Sequence, residues 1–401
     1  MTHARTLVID LPDFDARLPH DERWQDIERL HAPEEVARLA GTLRIEHTLS
    51  ARGAERLWDL LRRGDCLVAP GTGSPDEALQ LIRAGCTTLL AAPEGLQQAP
   101  WSARGWCETS VVARLQRALV DADRAAHLAG NRAVRWLAPI VADVSVSNCA
   151  PLEVVEAVRA RIEAGAAAVR IDDRAGCSSG GIDGRLAVTS TKGFLGSIAA
   201  ARLSADVEGV PLVLIASSAA GRATHLTSDH DERDRAQVAG DRDEHGMFPF
   251  HGGLESALAR ALAVAPLVEV VCLQAERPSL EEAARFAAAV RERHPNRILA
   301  YEVPAEVHWA RHVPDEDLDG WQRELARLGY SLQFLPRATF HARNAAAFDL
   351  GTRLRLQGLG GWSELRDREL AHEDKGYGVA RDRRDGAESW ARAARAAVKR
   401  A

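Results

Sequence analysis

No stretch of this chain approaches the run of about 18 apolar residues that crosses a bilayer. The first thirty residues carry Asp, Glu and Arg throughout, so neither a membrane partner nor a signal peptide is expected, and the chain is placed in the cytoplasm. A basic excess is also missing: 51 Lys and Arg stand against 57 Asp and Glu, a net charge of -6, without the cationic stripe that a phosphate backbone requires. Nucleic acid is therefore not an expected partner. The six cysteines (Cys66, Cys86, Cys107, Cys149, Cys177 and Cys272) form no Cys-x-x-Cys pair, and the fourteen histidines form no His-Glu-x-x-His. Reduced thiols and no structural zinc follow. No Gly-x-Gly-x-x-Gly follows the first strand-like run, since Gly71-Thr-Gly73 continues into Ser-Pro-Asp, and this argues against a dinucleotide site.

What the chain does have is 401 residues with 46% hydrophobic content, enough for a large core. Short aliphatic runs alternate with amphipathic stretches and predict strands at Cys66–Ala69, Thr87–Ala91, Leu137–Ala142, Ala167–Ile171, Leu212–Ala216, Val268–Leu273, Ile298–Tyr301 and Leu332–Leu335. Helices lie between them. Ser74-Pro75-Asp76-Glu77 offers a capping hydroxyl, a first-turn proline and two acids before a helix that closes at Gly85. Residues 153–164, followed by Gly165, and residues 280–293 repeat the pattern. Eight strand–helix units over roughly 290 residues predict an α/β fold of the closed (β/α)8 TIM type. Helical segments are expected at 1–55 and 346–401, flanking a barrel at 56–345, with the C-terminal one packing on the barrel or on a partner subunit.

Several stretches in order resemble the isocitrate lyase family, within the phosphoenolpyruvate mutase/isocitrate lyase superfamily. They are Arg23-Trp24-x-x-Ile27-x-Arg29, Val36-x-x-Leu39-x-Gly41-Thr42, Glu46-His-Thr-Leu49 and Arg52-Gly-Ala-Glu-Arg-Leu-Trp58. Beyond these come Ala138-Pro-Ile-Val-Ala-Asp143, Glu163-Ala-Gly-Ala166, Ala201-Arg-Leu-x-Ala-Asp-Val207, Thr227-Ser-Asp229 with Asp231-Glu-Arg-Asp234, and Gly253-Leu-Glu255 with Ala259-Arg260. Matches at 325–334, Phe340-His341 with Asn344, and Gly376-Tyr377 extend the likeness over residues 20 to 390. The resemblance implies a barrel whose eighth helix is exchanged in a homodimer or homotetramer. It also implies a magnesium-dependent (or manganese-dependent) retro-aldol cleavage of a tricarboxylate, with a cysteine acid in a Lys-Lys-Cys-Gly-His loop.

The site positions depart from that pattern. Asp143 matches the principal metal-associated aspartate and Asp172 is a shortened form of the glutamate behind it, so these two are the expected metal residues. The catalytic loop falls on Cys177-Ser-Ser-Gly-Gly181, which puts Ser179 at the catalytic cysteine, with Cys177 as the alternative thiol and no lysine or histidine beside either. The glyoxylate-binding Ser-Gly-Trp has become Ala92-Pro93-Glu94, and the family's arginine after the fifth strand is Ser217. The glutamate ending the sixth strand is Gln274, and Asn-x-Ser-x-Ser after the seventh is Glu302-Val-Pro304-Ala-Glu306, with His308 close behind. Glu94, Ser217, Gln274, Glu302, Glu306 and His308 are accordingly the candidate substrate contacts.

Carboxylates gathered this way would repel a trianion, since two like charges about 5 Å apart at an effective dielectric near 20 cost roughly 3 kcal/mol. The sequence thus predicts a small-molecule ligand other than isocitrate: a cation, an amine or a neutral compound. Two function classes remain, a repurposed metal-dependent lyase-type enzyme and an inactive homologue with a binding or assembly role.

Overall fold

The computed structural model describes residues 22–24, 26–64, 66–92, 101–145, 151–175, 185–304, 307–378 and 381–398. All eight predicted strands form and close into one parallel barrel: β1 (Leu67–Thr72), β2 (Leu89–Ala91), β3 (Ile140–Ser145), β4 (Ala168–Asp172), β5 (Val213–Ser218), β6 (Val270–Gln274), β7 (Ile298–Glu302) and β8 (Tyr330–Leu335). Each pairs with its sequence neighbour, and β1 pairs with β8 to complete the ring. Several strands run one to three residues further at their C-terminal ends than hydropathy alone predicts. The extra residues include the polar Asp143, Asp172, Ser217, Gln274 and Glu302, which lie where the barrel opens.

Helix α1 (Thr48–Arg62) precedes the barrel and buries Ser50, Ala54, Leu57 and Leu61, a spacing that keeps one face turned inward. Leu57 and Leu61 join the barrel's own interior, beside Val141, Val213 and Leu332, each burial stabilising by about 1.5–3 kcal/mol. Thereafter α2 (Pro75–Arg83), α3 (Trp101–Leu128), α4 (Pro151–Glu163), α5 (Thr191–Val207), α6 (Leu254–Val264), α7 (Leu280–Arg293) and α8 (Trp321–Arg327) form the outer ring. α2 and α4 end as predicted, before glycines in the left-handed region, Gly85 at φ 99° and Gly165 at φ 94°. The cap at α2 differs. Ser74 makes no side-chain cap; instead the Thr72 hydroxyl accepts from the Ser74 N–H and donates to Glu77, because the end of β1 already holds Thr72 over the helix start. Ser279 does cap α7, accepting from the Glu282 N–H at 3.1 Å.

The base of the barrel is locked by charge. Glu269, fully buried just before β6, accepts from Arg202 at 2.7 Å, from the Leu214 N–H at 2.9 Å and from Arg23 at 3.4 Å. Arg23 stacks on Trp24 and Trp58, with centroids 4.3 and 4.8 Å from its guanidinium carbon. Asp206 on α5 likewise takes Arg29 at 2.7 Å and His31 at 2.9 Å. Arg23, Trp24, Arg29, Trp58, Arg202 and Asp206 all fall in the stretches that carry the resemblance, so part of the likeness builds the scaffold.

Gly71 shows how tightly the ring closes. A Cβ there would lie 2.1 Å from the Pro336 carbonyl oxygen, a backbone atom that cannot swing aside. Gly71→Ala is expected to destabilise by about 1–3 kcal/mol or more, read as a lowered urea midpoint with an unchanged slope.

Beyond β8, α9 (Ala338–Gln357) and α10 (Leu359–Leu370) pack on each other, and α11 (Arg381–Val398) lies along α3. α9 buries none of its side chains, leaving Phe348 79% exposed, and Leu359 on α10 is 81% exposed. No helix among the described residues is long and apolar enough to cross a membrane.

Candidate active site

Alternation along each strand fixes which side chains face the barrel axis. Val141, Ala168, Val213, Ile215, Cys272, Ala300 and Phe334 line the apolar interior, so Asp143, Arg170, Asp172, Ser217, Gln274 and Glu302, at even spacing from them, also point inward and crown it. The site is thus assembled from the C-terminal ends of five successive strands, β3 to β7, as the fold dictates.

Its centre is Arg170, a residue to which the sequence comparison assigned no role. Only 3% of its side chain is exposed. Nε and Nη2 donate to Oδ1 and Oδ2 of Asp143, both at 2.7 Å, a side-on fork; Nη1 donates to Glu302, and the guanidinium carbon lies 4.9 Å from the Phe334 ring centroid. Two residues on, Asp172 is held by Arg174, whose Nε donates to both carboxylate oxygens at 2.8 Å and whose backbone N–H donates to Oδ1 at 2.8 Å. Gln274 Nε2 bridges Asp172 and Ser217, at 2.8 Å to each, while its Oε1 is buried without a partner among the described residues.

Burial alone would raise the Asp172 pKa. The Arg174 charge and the hydrogen bonds from Arg174 and Gln274 more than offset it, and the carboxyl lies below its ordinary value. Glu269 and Asp206 also lie low against burial, the first through the Arg202 and Arg23 charges, the second through hydrogen bonds from His31 and Arg29. Carboxylates with depressed folded pKa values lend stability that is complete above about pH 4.5 and disappears as pH falls through those values. The urea midpoint is therefore expected to drop steeply below about pH 4, and a Glu269→Gln variant should show a shallower acid limb.

These pairings correct the sequence-based picture of an uncompensated acidic mouth. Among the described residues, three carboxylates (Asp143, Asp172, Glu302) meet two guanidiniums (Arg170, Arg174), leaving one net negative charge. The compensating arginines stand at 170 and 174, away from the positions where the resemblance places its cations. The signal was present, a charged residue at an inward position of an otherwise apolar strand.

Of the other candidates, Ser217 is buried against Gln274, Glu302 is half-buried, and His308 is exposed before a short 3-10 turn at Trp309–Arg311. Cys177, Ser179, Glu94 and Glu306 lie outside the described residues. Cys66, Cys86 and Cys272 are free thiols. Cys272 faces the axis below the polar crown, but burial and the nearby Glu302 push its pKa up to about 12, so it is no nucleophile.

Behind the mouth lies a second network that the sequence did not reveal. Asp173 accepts from the Ser218 hydroxyl at 2.6 Å, the Ala219 N–H at 2.8 Å and Arg260 at 2.8 Å. Arg260 also reaches Asp234 at 3.0 Å, and Asp234 accepts from the Thr191 N–H and hydroxyl at the start of α5. This network fixes the strand end that presents Asp172.

The expected metal residues do not match a divalent ion. Each oxygen of Asp143 already receives a guanidinium N–H, and Asp172 is saturated by Arg174 and Gln274. Magnesium takes oxygen ligands in near-octahedral array at about 2.0–2.1 Å, which here would bring a second cation against the Arg170 charge. Among the described residues no group of three or more His, Cys, Asp or Glu is placed to hold an ion.

Comparison with known proteins agrees with the fold. A model of the isocitrate lyase family matches residues 113–245 and 237–395. Isocitrate lyase from Halalkalibacterium halodurans is 37% identical over 380 residues, 91% of this chain and 88% of that protein. Isocitrate lyase 1 from Mycobacterium tuberculosis is 35% identical over 376 residues, covering 90% and 88%. Among solved structures, oxaloacetate acetylhydrolase in complex with 3,3-difluorooxalacetate superimposes with a TM-score of 0.54 at 20% identity, covering 83% of this chain and 99% of that one. A 2,3-dimethylmalate lyase gives 0.52 at 16% identity, covering 76% and 88%. At those identities the structures speak to fold alone.

Proposed function

The chain belongs to the isocitrate lyase family, and we propose that it does not cleave isocitrate but performs lyase-type chemistry on a smaller, less charged acid. The observation that carries this reading is the pairing of both guanidiniums inside the barrel with the protein's own carboxylates. A tricarboxylate needs cations to grip it, and Arg170 and Arg174 would have to abandon the carboxylates they already hold to serve. The family's arginine after the fifth strand is Ser217 here, which accepts from Gln274 instead.

In this proposal Ser217 and Gln274 contact the substrate. The unpartnered Oε1 of Gln274 accepts a hydrogen bond from a ligand hydroxyl or ammonium, which would relieve the desolvation of a buried acceptor. Glu302, at the rim, moves the proton, with Glu94, Glu306 and His308 as further contacts. Ser179, or Cys177, stands at the family's acid position. The test is a direct assay of glyoxylate release from isocitrate with magnesium, beside a panel of 2-hydroxy monocarboxylates, dicarboxylates and amines followed by NMR. No glyoxylate is expected, with turnover of a member of the panel; isocitrate cleavage at an enzymatic rate would overturn the proposal.

A second reading, an inactive homologue with an assembly role, is favoured by the bare α9–α10 pair. Both readings include a homodimer or homotetramer formed through α9, the helix that follows β8. Large exposed apolar side chains on a helix with no buried face mark an interface. Light scattering should report a dimer or tetramer, and Phe348→Asp should shift it toward monomer.

A further inference from the structure

We infer that the Arg170 guanidinium takes the place that the family's chemistry gives to a divalent cation, so that the charge on Asp143 is balanced by the chain itself. The inference concerns the cation alone and holds whichever substrate the protein takes.

Asp143 is the one matched metal residue retained in kind, yet its side-on fork with Arg170 uses both oxygens at 2.7 Å. Arg170 is in turn fixed from three sides: Asp143 on β3, Glu302 on β7 and the Phe334 ring on β8. Because these partners lie on different strands of a closed ring, the guanidinium cannot swing aside without leaving a buried charge unpaired. An ion bound to Asp143 would stand within a few ångströms of that fixed charge. Arg170 springs from the middle of β4, in register with Asp143 on one side and Ile215 on the other, so the geometry is set by the backbone ladder and not by a mobile loop. A guanidinium keeps its proton at every pH at which the protein is folded, which makes this a permanent counter-charge, unlike an exchangeable ion. It offers directed N–H donors and no vacant coordination position.

The experiment is a Mn2+ titration of the purified full chain, with free Mn2+ followed by its EPR signal, on wild type, Asp143→Asn, Arg170→Gln and Arg170→Lys. The wild type is expected to leave the signal unchanged up to about millimolar Mn2+. Arg170→Gln, which uncovers Asp143 and Glu302, is expected to bind at least about tenfold more tightly. Arg170→Lys, which keeps a positive charge beside Asp143, is expected to stay close to the wild type, and the wild-type and Asp143→Asn pair decides the matter should the glutamine variant not fold. Stoichiometric binding by the wild type that vanishes in Asp143→Asn would overturn the inference, and so would a folded Arg170→Gln variant as inert to Mn2+ as the wild type. Ion binding equal in wild type and Asp143→Asn places the ion elsewhere and supports it. No turnover enters the readout, so a failure of the substrate proposal and a failure of this one are told apart.

Discussion

Glu269→Ala is expected to lower the unfolding free energy by about 3–5 kcal/mol, because it strands two guanidiniums in the base of the barrel. Arg202, 2% exposed, loses its 2.7 Å partner, and Arg23, 3% exposed, loses the same carboxylate while keeping the Leu212 carbonyl and the Trp24 and Trp58 faces. The Leu214 N–H, near the start of β5, loses its acceptor as well. Urea denaturation at pH 7 measures the loss. An equal loss in Glu269→Gln would attribute it to the charge, since the amide can still meet the Leu214 N–H; a change below about 1 kcal/mol in the alanine variant would show that the triad is no better than an exposed pair.

Arg260→Met should cost about as much, about 3–5 kcal/mol, and should reach the site too. It leaves Asp173 and Asp234 facing each other without the cation that separates them, both essentially buried. Asp173 keeps the Ser218 and Ala219 donors, and Asp234 keeps Thr191, so the fold should survive in a weakened form. The strand end carrying Asp172 and Arg174 then loses its rear support. Hydrogen exchange should rise first around Ser218–Ala220 and at the start of α5; exchange unchanged there would mean that the network is not what holds the mouth in place.

The barrel was legible in the chain because its evidence is local. Runs such as Leu212–Ala216 and Ile298–Tyr301 are too short for helices, and the stretches between the strands carry helical periodicity, with glycine stops such as Gly85 and Gly165. Of the candidate site, Glu94, Cys177, Ser179 and Glu306 lie outside the described residues, and the strand-end members can be placed. Asp143, Asp172, Ser217, Gln274 and Glu302 all face the axis as a strand-end reading anticipates, and Arg170 and Arg174 among them offset two of the three described carboxylates. Nothing in the letters at 143, 170 and 302 marks them as partners. They lie 27 and 132 residues apart, and only ring closure brings them together.

Sequence by itself determined the eight-fold alternation and the family, because strand period, helix stops and residue identity are properties of neighbouring positions. Tertiary structure alone decided which charges meet. The inward register of β3, β4 and β7 pairs one buried guanidinium with two carboxylates, and at a few ångströms in a poorly solvated interior the Coulomb attraction outweighs any tendency read from composition.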